Sequence, residues 1–207
     1  MADQRTLTHP VGAAVERVRE VLARFAQTPV HLLSPDQKAD LLRETVAAES
    51  QLVQLRMRVM AASDDVAAEH GQRDVAAWVA HQTNVEPSRV RADQATAVAI
   101  DNRWRAVGAA MAAGRLSADQ ARVICRGLDD LVSMPDLTLD PDVIIRAEAD
   151  LVAYGTGDHP HAPDRGFSPR QLKTLAERIL HVIAPDIADE ADARALERLE
   201  ATALRKT

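Results

Sequence analysis

Asp158-His159-Pro160-His161 places a carboxylate and two imidazoles within one short segment, the residue types that hold zinc or iron. A metal site needs three or four such ligands in a fixed geometry. Here a proline separates the histidines and glycines flank the segment, which reads as a solvated loop. Glu177 and His181 share a helical face at i,i+4, a spacing that equally suits a surface pair. A di-metal carboxylate bundle needs Glu-x-x-His on two helices, and the sequence contains no such tetrad. Asp64, Asp65 and Glu69 form an acidic patch that reads as a solvated face. There is no glycine-rich loop followed by Lys-Ser or Lys-Thr, no dinucleotide fingerprint and no nucleophile elbow. No metal site, no cofactor and no catalytic residue are therefore expected in this chain.

Arginine offers a different chemistry. Residues 71–126 carry eight arginines against five acidic residues, although the whole chain has a net charge of −6. All the basic residues of this stretch are arginine, whose planar guanidinium suits bidentate contacts to phosphate or guanine. Arg89, Arg91, Arg103, Arg105, Arg115 and Arg122 are the candidate DNA contacts, to phosphate first. A bland account competes with this one. Arg89 with Asp93, and Asp101 with Arg105, have the i,i+4 spacing of pairs that neutralise each other on a helix surface.

Two segments could position these arginines as helix-turn-helix corners. In the first, Ala80 is small enough for two helices to cross closely, and Asn84 can take the left-handed turn conformation. Val90 then packs the second helix back onto the first. In the second segment, residues 110–123, Ala110 and Gly114 have the same spacing, but Gln120 stands where an apolar residue is expected. Most such corners bind nothing, so the pattern alone does not establish DNA contact.

The surrounding elements read as helices throughout. Ser34, Ser117 and Ser168 are each followed three residues later by glutamine, the capping-box pattern, and Asp140-Pro141 is a further start. Val11, Val15, Val18, Leu22 and Phe25 form one apolar stripe on a helix over residues 11–27. A second helix is expected from residue 34 to residue 70, about 50 Å long at 1.5 Å per residue. Its seam runs through Leu41, Thr45, Ala48, Leu52, Leu55, Val59, Ala62 and Val66. The first helix can cover only part of it, so a second subunit or the C-terminal helices are expected to cover the rest. Shorter helices follow over about 74–82, 88–102, 104–113 (stopping at Gly114), 117–132, 140–154, 168–184 and 189–205.

Composition agrees. Aromatic residues make up 2% of the chain, alanine is the commonest residue, and β-branched runs are few, which leaves little material for a sheet. The single cysteine, Cys125, excludes a disulfide framework and a four-cysteine zinc site. No uncharged stretch is long enough for a bilayer, no signal-peptide pattern opens the chain, and a cytoplasmic location without membrane contact is expected. The expected fold is all-α: an elongated multi-helix bundle around one long helix, about 34–70, with helix-turn-helix-like corners. The expected organisation is an N-terminal helix (1–30) packing on the core, a helical core (31–186), and a C-terminal helix (187–207).

Three segments carry a resemblance: Val75-Ala76-Ala77-Trp78-Val79-Ala80; residues 112–124 around Gly114-Arg115-Leu116-Ser117-Ala118-Asp119-Gln120; and Phe167-Ser168-Pro169-Arg170-Gln171-Leu172 with Val182-Ile183-Ala184-Pro185-Asp186. In this order, over roughly residues 30–200, they resemble the actinobacterial domain of unknown function 222 family, also called the thirteen-E-twelve repeat family. The resemblance implies an all-helical N-terminal domain, commonly followed by an HNH nuclease domain and often associated with phage or mobile elements. The histidine base and metal-holding residues of HNH chemistry belong to that following domain, so no catalytic residue carries over. The C-terminal helix is then expected to lead toward a nuclease part absent from this chain, which would make the chain a fragment or a naturally short member. The leading expectation is a non-catalytic, DNA-engaging helical domain of an HNH-endonuclease-type protein. The alternative is a protein–protein module, including a homo-oligomer formed through the long helix.

Overall fold

The computed structural model describes residues 9–134, 139–183, 185–189, 193 and 196. All regular structure among them is helical, with no strand. The chain divides into two units, residues 1–43 and 44–207.

In the first unit, α1 (Pro10–Phe25) opens on His9, whose Nδ1 accepts the Val11 N–H, with proline at the first helical position. The apolar stripe expected there is present as a helix, yet no residue of α1 is buried and Leu22 and Phe25 are exposed. A single 3₁₀ turn (Val30–Leu32) leads to the start of α2 (Pro35–Ala61). The capping box at Ser34 is formed: Gln37 Oε1 accepts the Ser34 N–H and Ser34 Oγ accepts the Gln37 N–H.

The long helix is α2, and the span expected to continue to residue 70 is divided at Ser63. The Ser63 hydroxyl donates to the Val59 carbonyl, while the Ala62 and Ser63 N–H groups reach back only three residues. That tightened turn ends the α-helical ladder. A short helix, α3 (Asp64–Glu69), restarts with Asp64 and Asp65 in its first turn, where negative charge is favoured.

The rest of the second unit is α4 (Val75–Thr83), α5 (Pro87–Asn102), α6 (Arg105–Ala112), α7 (Ala118–Val132), α8 (Pro141–Thr156), α9 (Pro169–Ala176) and α10 (Ile179–Ile183). The boxes at Ser117 and Ser168 both form, and Gly114 takes the left-handed conformation that ends α6. Trp104, which precedes α6, offers no side-chain cap. Glu148 of α8 supplies it instead, accepting the Ala106 and Val107 N–H groups. The single helix expected over 168–184 is two, because the Arg178 and His181 N–H groups bond three residues back and turn the chain after α9. The helix expected over 189–205 falls almost wholly outside the described residues.

Helix α7 is the centre of this unit and packs against α5, α6, α8 and α9. Ala121, Ile124 and Leu128 are fully buried, beside Met57 of α2, Val107 and Met111 of α6, Leu151 of α8 and Leu172 of α9. Each such large side chain contributes about 1.5–3 kcal/mol through burial. No described helix is long and apolar enough to cross a membrane.

Candidate nucleic-acid interface

The first corner forms as its residue pattern implies. Asp74 caps α4 by accepting the Ala77 N–H at 2.8 Å. Ala80 is buried, Asn84 adopts a left-handed φ of 55°, and Val90 is buried where α5 returns against α4. Gln94 of α5 ties the two helices together by accepting the Ala76 N–H. With Val90 turned inward, Ser88, Arg89 and Arg91 stand exposed at the start of α5. The Trp78 ring stacks on His70 at 5.6 Å between centroids.

The second corner has a different use. Gln120 completes the capping box with Oε1, and its Nε2 donates to the Gly155 carbonyl at 3.0 Å and the Phe167 carbonyl at 2.8 Å. The residue that breaks the apolar pattern thus anchors the end of α8 and the segment leading into α9. Ser117, Ala118 and Gln120 at the start of α7 are half-buried and Asp119 is exposed, whereas Ser88, Arg89 and Arg91 of α5 are all exposed.

The six candidate arginines separate into two groups. Arg122 pairs with Asp93 at 3.0 Å and Asp119 at 2.6 Å; Arg103 pairs with Asp129 at 2.9 Å and lies 5.6 Å from the Trp104 ring centre; Arg115 pairs with Asp158. Arg89, Arg91 and Arg105 have no carboxylate partner among the described residues. The i,i+4 pair of Arg89 with Asp93 does not form, because Asp93 is buried and turned to Arg56 and Arg122. Arg56 had no place among the candidates. It sits between Leu55 and Met57, and only the charge interrupting that seam hints at its use.

Two clefts flank the start of α5. One, about 570 Å³, is lined by Arg56, Arg89 and Arg122 together with Asp93, Asp119 and Glu49. The other, about 730 Å³, lies in the α4–α5 corner and is lined by Arg73, His81 and Arg91 with Asp74 and Glu86. The capping bond from Ala77, and then the Arg73 guanidinium, hold the Asp74 carboxyl below the usual aspartate range. Arg105 lines a separate cavity with Arg58 and Asp101.

The histidine loop is occupied with its own contacts. Asp158 bonds to Arg115 and Thr156, which hold its carboxyl low. His159 stacks on Tyr154 with centroids 3.7 Å apart, and its Nδ1 accepts the His161 N–H. Among the described residues no three ligand-type side chains converge on a metal position. Cys125 is buried on α7, and burial first, then Asp129 and Glu148, push its thiol up to about 12.

Among the described residues, fold and site together define an all-helical domain in which the α4–α5 corner carries exposed arginines. The chain belongs to the family described as domain of unknown function (DUF222), which matches it over residues 33–203. Neither a curated protein nor a solved structure matches it.

Proposed function

We propose that this chain is a non-catalytic helical domain that engages duplex DNA through the start of α5, as the N-terminal part of an HNH-endonuclease-type protein. One observation carries the DNA reading. Arg89 and Arg91 are exposed near the start of α5, after a left-handed corner, and neither forms an ion pair with a carboxylate among the described residues, although Arg91 Nε donates to the Pro87 carbonyl at 3.3 Å and its charge acts on Asp74. Guanidinium groups so placed suit backbone phosphates, which need donors and positive charge rather than a particular base. The nuclease connection rests on the family resemblance alone.

Titrating a labelled duplex at 50 and 200 mM salt tests the reading. Affinity that falls steeply with salt supports it, because phosphate contacts release counterions. Absence of binding at the lower salt removes it.

A specific observation favours a second reading, self-association. Within the first unit, Leu22 and Phe25 of α1, Val30 and Leu32 of the turn, and Leu42 of α2 are all more than half exposed. Apolar side chains in such number suit a partner surface. Light scattering over a hundredfold concentration range separates the readings: a constant monomer mass excludes self-association.

A further inference from the structure

We infer that the outer face of α2 within the second unit is a dimer interface, on which two copies of this chain pair antiparallel through Ala48, Leu52, Leu55 and Val59. This rests on the self-association reading above and gives it a surface separate from the apolar residues of the first unit.

Helix α2 buries two polar side chains and leaves an apolar row bare. Its buried residues are Ser50, Gln54, Met57 and Met60. At 3.6 residues per turn, Ala48, Leu52, Leu55 and Val59 fall on the opposite side of the helix. Leu52 is 39% and Val59 51% exposed, Ala48 is exposed and Leu55 is half-buried. Their alternating spacing of four and three residues is that of a coiled-coil seam, whose side chains fit between those of a second helix.

The charges beside the seam select the second copy and its direction. Glu49 and Arg56 stand one heptad apart on one flank, and Glu44 stands on the other. A parallel, in-register pair would set Glu44 of each copy beside Glu49 of the other. An antiparallel pair centred on Ser50 would set Glu49 against Glu49. Centring the antiparallel pair between Val53 and Gln54 removes both conflicts. Leu52 then meets Leu55 of the second copy, Val59 meets Ala48, and Glu49 faces Arg56, each contact occurring twice by symmetry. Glu49 forms no ion pair among the described residues. Arg56 donates one bond to Asp93 and stays 44% exposed, which leaves it donors for a second carboxylate. These exposed charges set register and direction, while the apolar seam supplies the affinity. From Ala48 to Val59 the seam is about 17 Å long. Such a short contact gives a reversible monomer–dimer equilibrium, not a permanent assembly.

Sedimentation equilibrium of the full chain, from about 1 to about 300 µM, tests this. The wild-type mass should rise with concentration from that of one chain toward twice that value. Leu52→Glu and Val59→Glu, both at exposed sites, should each keep the chain monomeric with unchanged helical circular dichroism. Glu49→Gln should weaken the dimer about threefold and Glu49→Arg about tenfold. Ile145→Glu on α8, an exposed apolar site elsewhere, should change nothing. A stronger dimer with Glu49→Gln would mean that Glu49 faces another carboxylate, and it overturns the antiparallel register. A lower melting temperature of Leu52→Glu at the lowest concentration, where the wild type is monomeric, would mean that the chain covers this face itself, and it overturns the interface. If Leu22→Glu with Phe25→Glu dissolves the dimer and Leu52→Glu does not, the α2 interface is wrong and the self-association reading stands. If the wild-type chain stays monomeric over the whole range, the self-association reading fails and this interface with it.

Discussion

Arg56 donates to Asp93 Oδ2 at 2.7 Å, joining α2 to α5 across a separation of 37 residues. The other oxygen of the same carboxylate accepts from Arg122 of α7, so three helices meet on one buried anion. Asp93→Ala would leave two guanidiniums facing each other without it. Removing one partner of a fully buried pair costs about 3–5 kcal/mol; because both arginines keep solvent access, about 2–3 kcal/mol is expected here. Urea unfolding should show a lower midpoint at an unchanged m-value. Asp93→Asn, which keeps an acceptor in place, should lose less.

Gln120→Leu restores the apolar residue that a helix-turn-helix pattern prefers, and the structure opposes it. The substitution removes half of a capping box and leaves the Gly155 and Phe167 carbonyls without their donor. A loss of about 2–4 kcal/mol is expected by thermal or urea unfolding. An unchanged or higher stability would show that the Gln120 bonds matter little to the fold.

Helices α7 and α9 touch at a position with no spare room. A Cβ placed on Gly127 would lie 2.4 Å from the Ala176 Cβ, an atom that cannot swing away. Gly127→Ala should therefore destabilise by about 1–3 kcal/mol, although alanine is the better helix former. Adding Ala176→Gly reopens the space. The double variant should recover part of the loss, which a double-mutant cycle reads as a favourable coupling.

The pH response follows from Asp74. Its carboxyl is held below the usual aspartate range, first by the Ala77 N–H and then by Arg73. A carboxyl with a depressed folded pKa contributes stability above the unfolded value, and that contribution disappears as acid protonates the folded form. The wild-type melting temperature should fall between pH 6 and pH 3. Asp74→Asn keeps a capping oxygen but has no charge to lose, so its fall should be smaller. Equal falls would place the acid sensitivity elsewhere.

Where the signal was local, it was legible. Ser117 with Gln120, Ser168 with Gln171, Asp74 before α4 and the left-handed Asn84 and Gly114 each satisfy backbone groups within a few residues. The end of α2 at Ser63 was hidden because the apolar spacing continues across it through Ala62 and Val66, and periodicity does not register a single hydroxyl bonding to a carbonyl. The apolar stripe of α1 marks a helix, but stripe spacing does not report what covers it. Among the candidate arginines, spacing suggested neighbours as partners. Asp93 instead took Arg56 and Arg122, which no local rule connects.

The residues alone determined that this protein is helical, where most of its helices begin, and that one corner turns at Asn84, because caps, proline positions and left-handed turns act over one helical turn. Tertiary structure decided which arginines are neutralised, which corner faces solvent and why Gln120 is a glutamine. Those outcomes depend on charges and carbonyls brought together from distant parts of the chain, and only packing around α7 sets their distances.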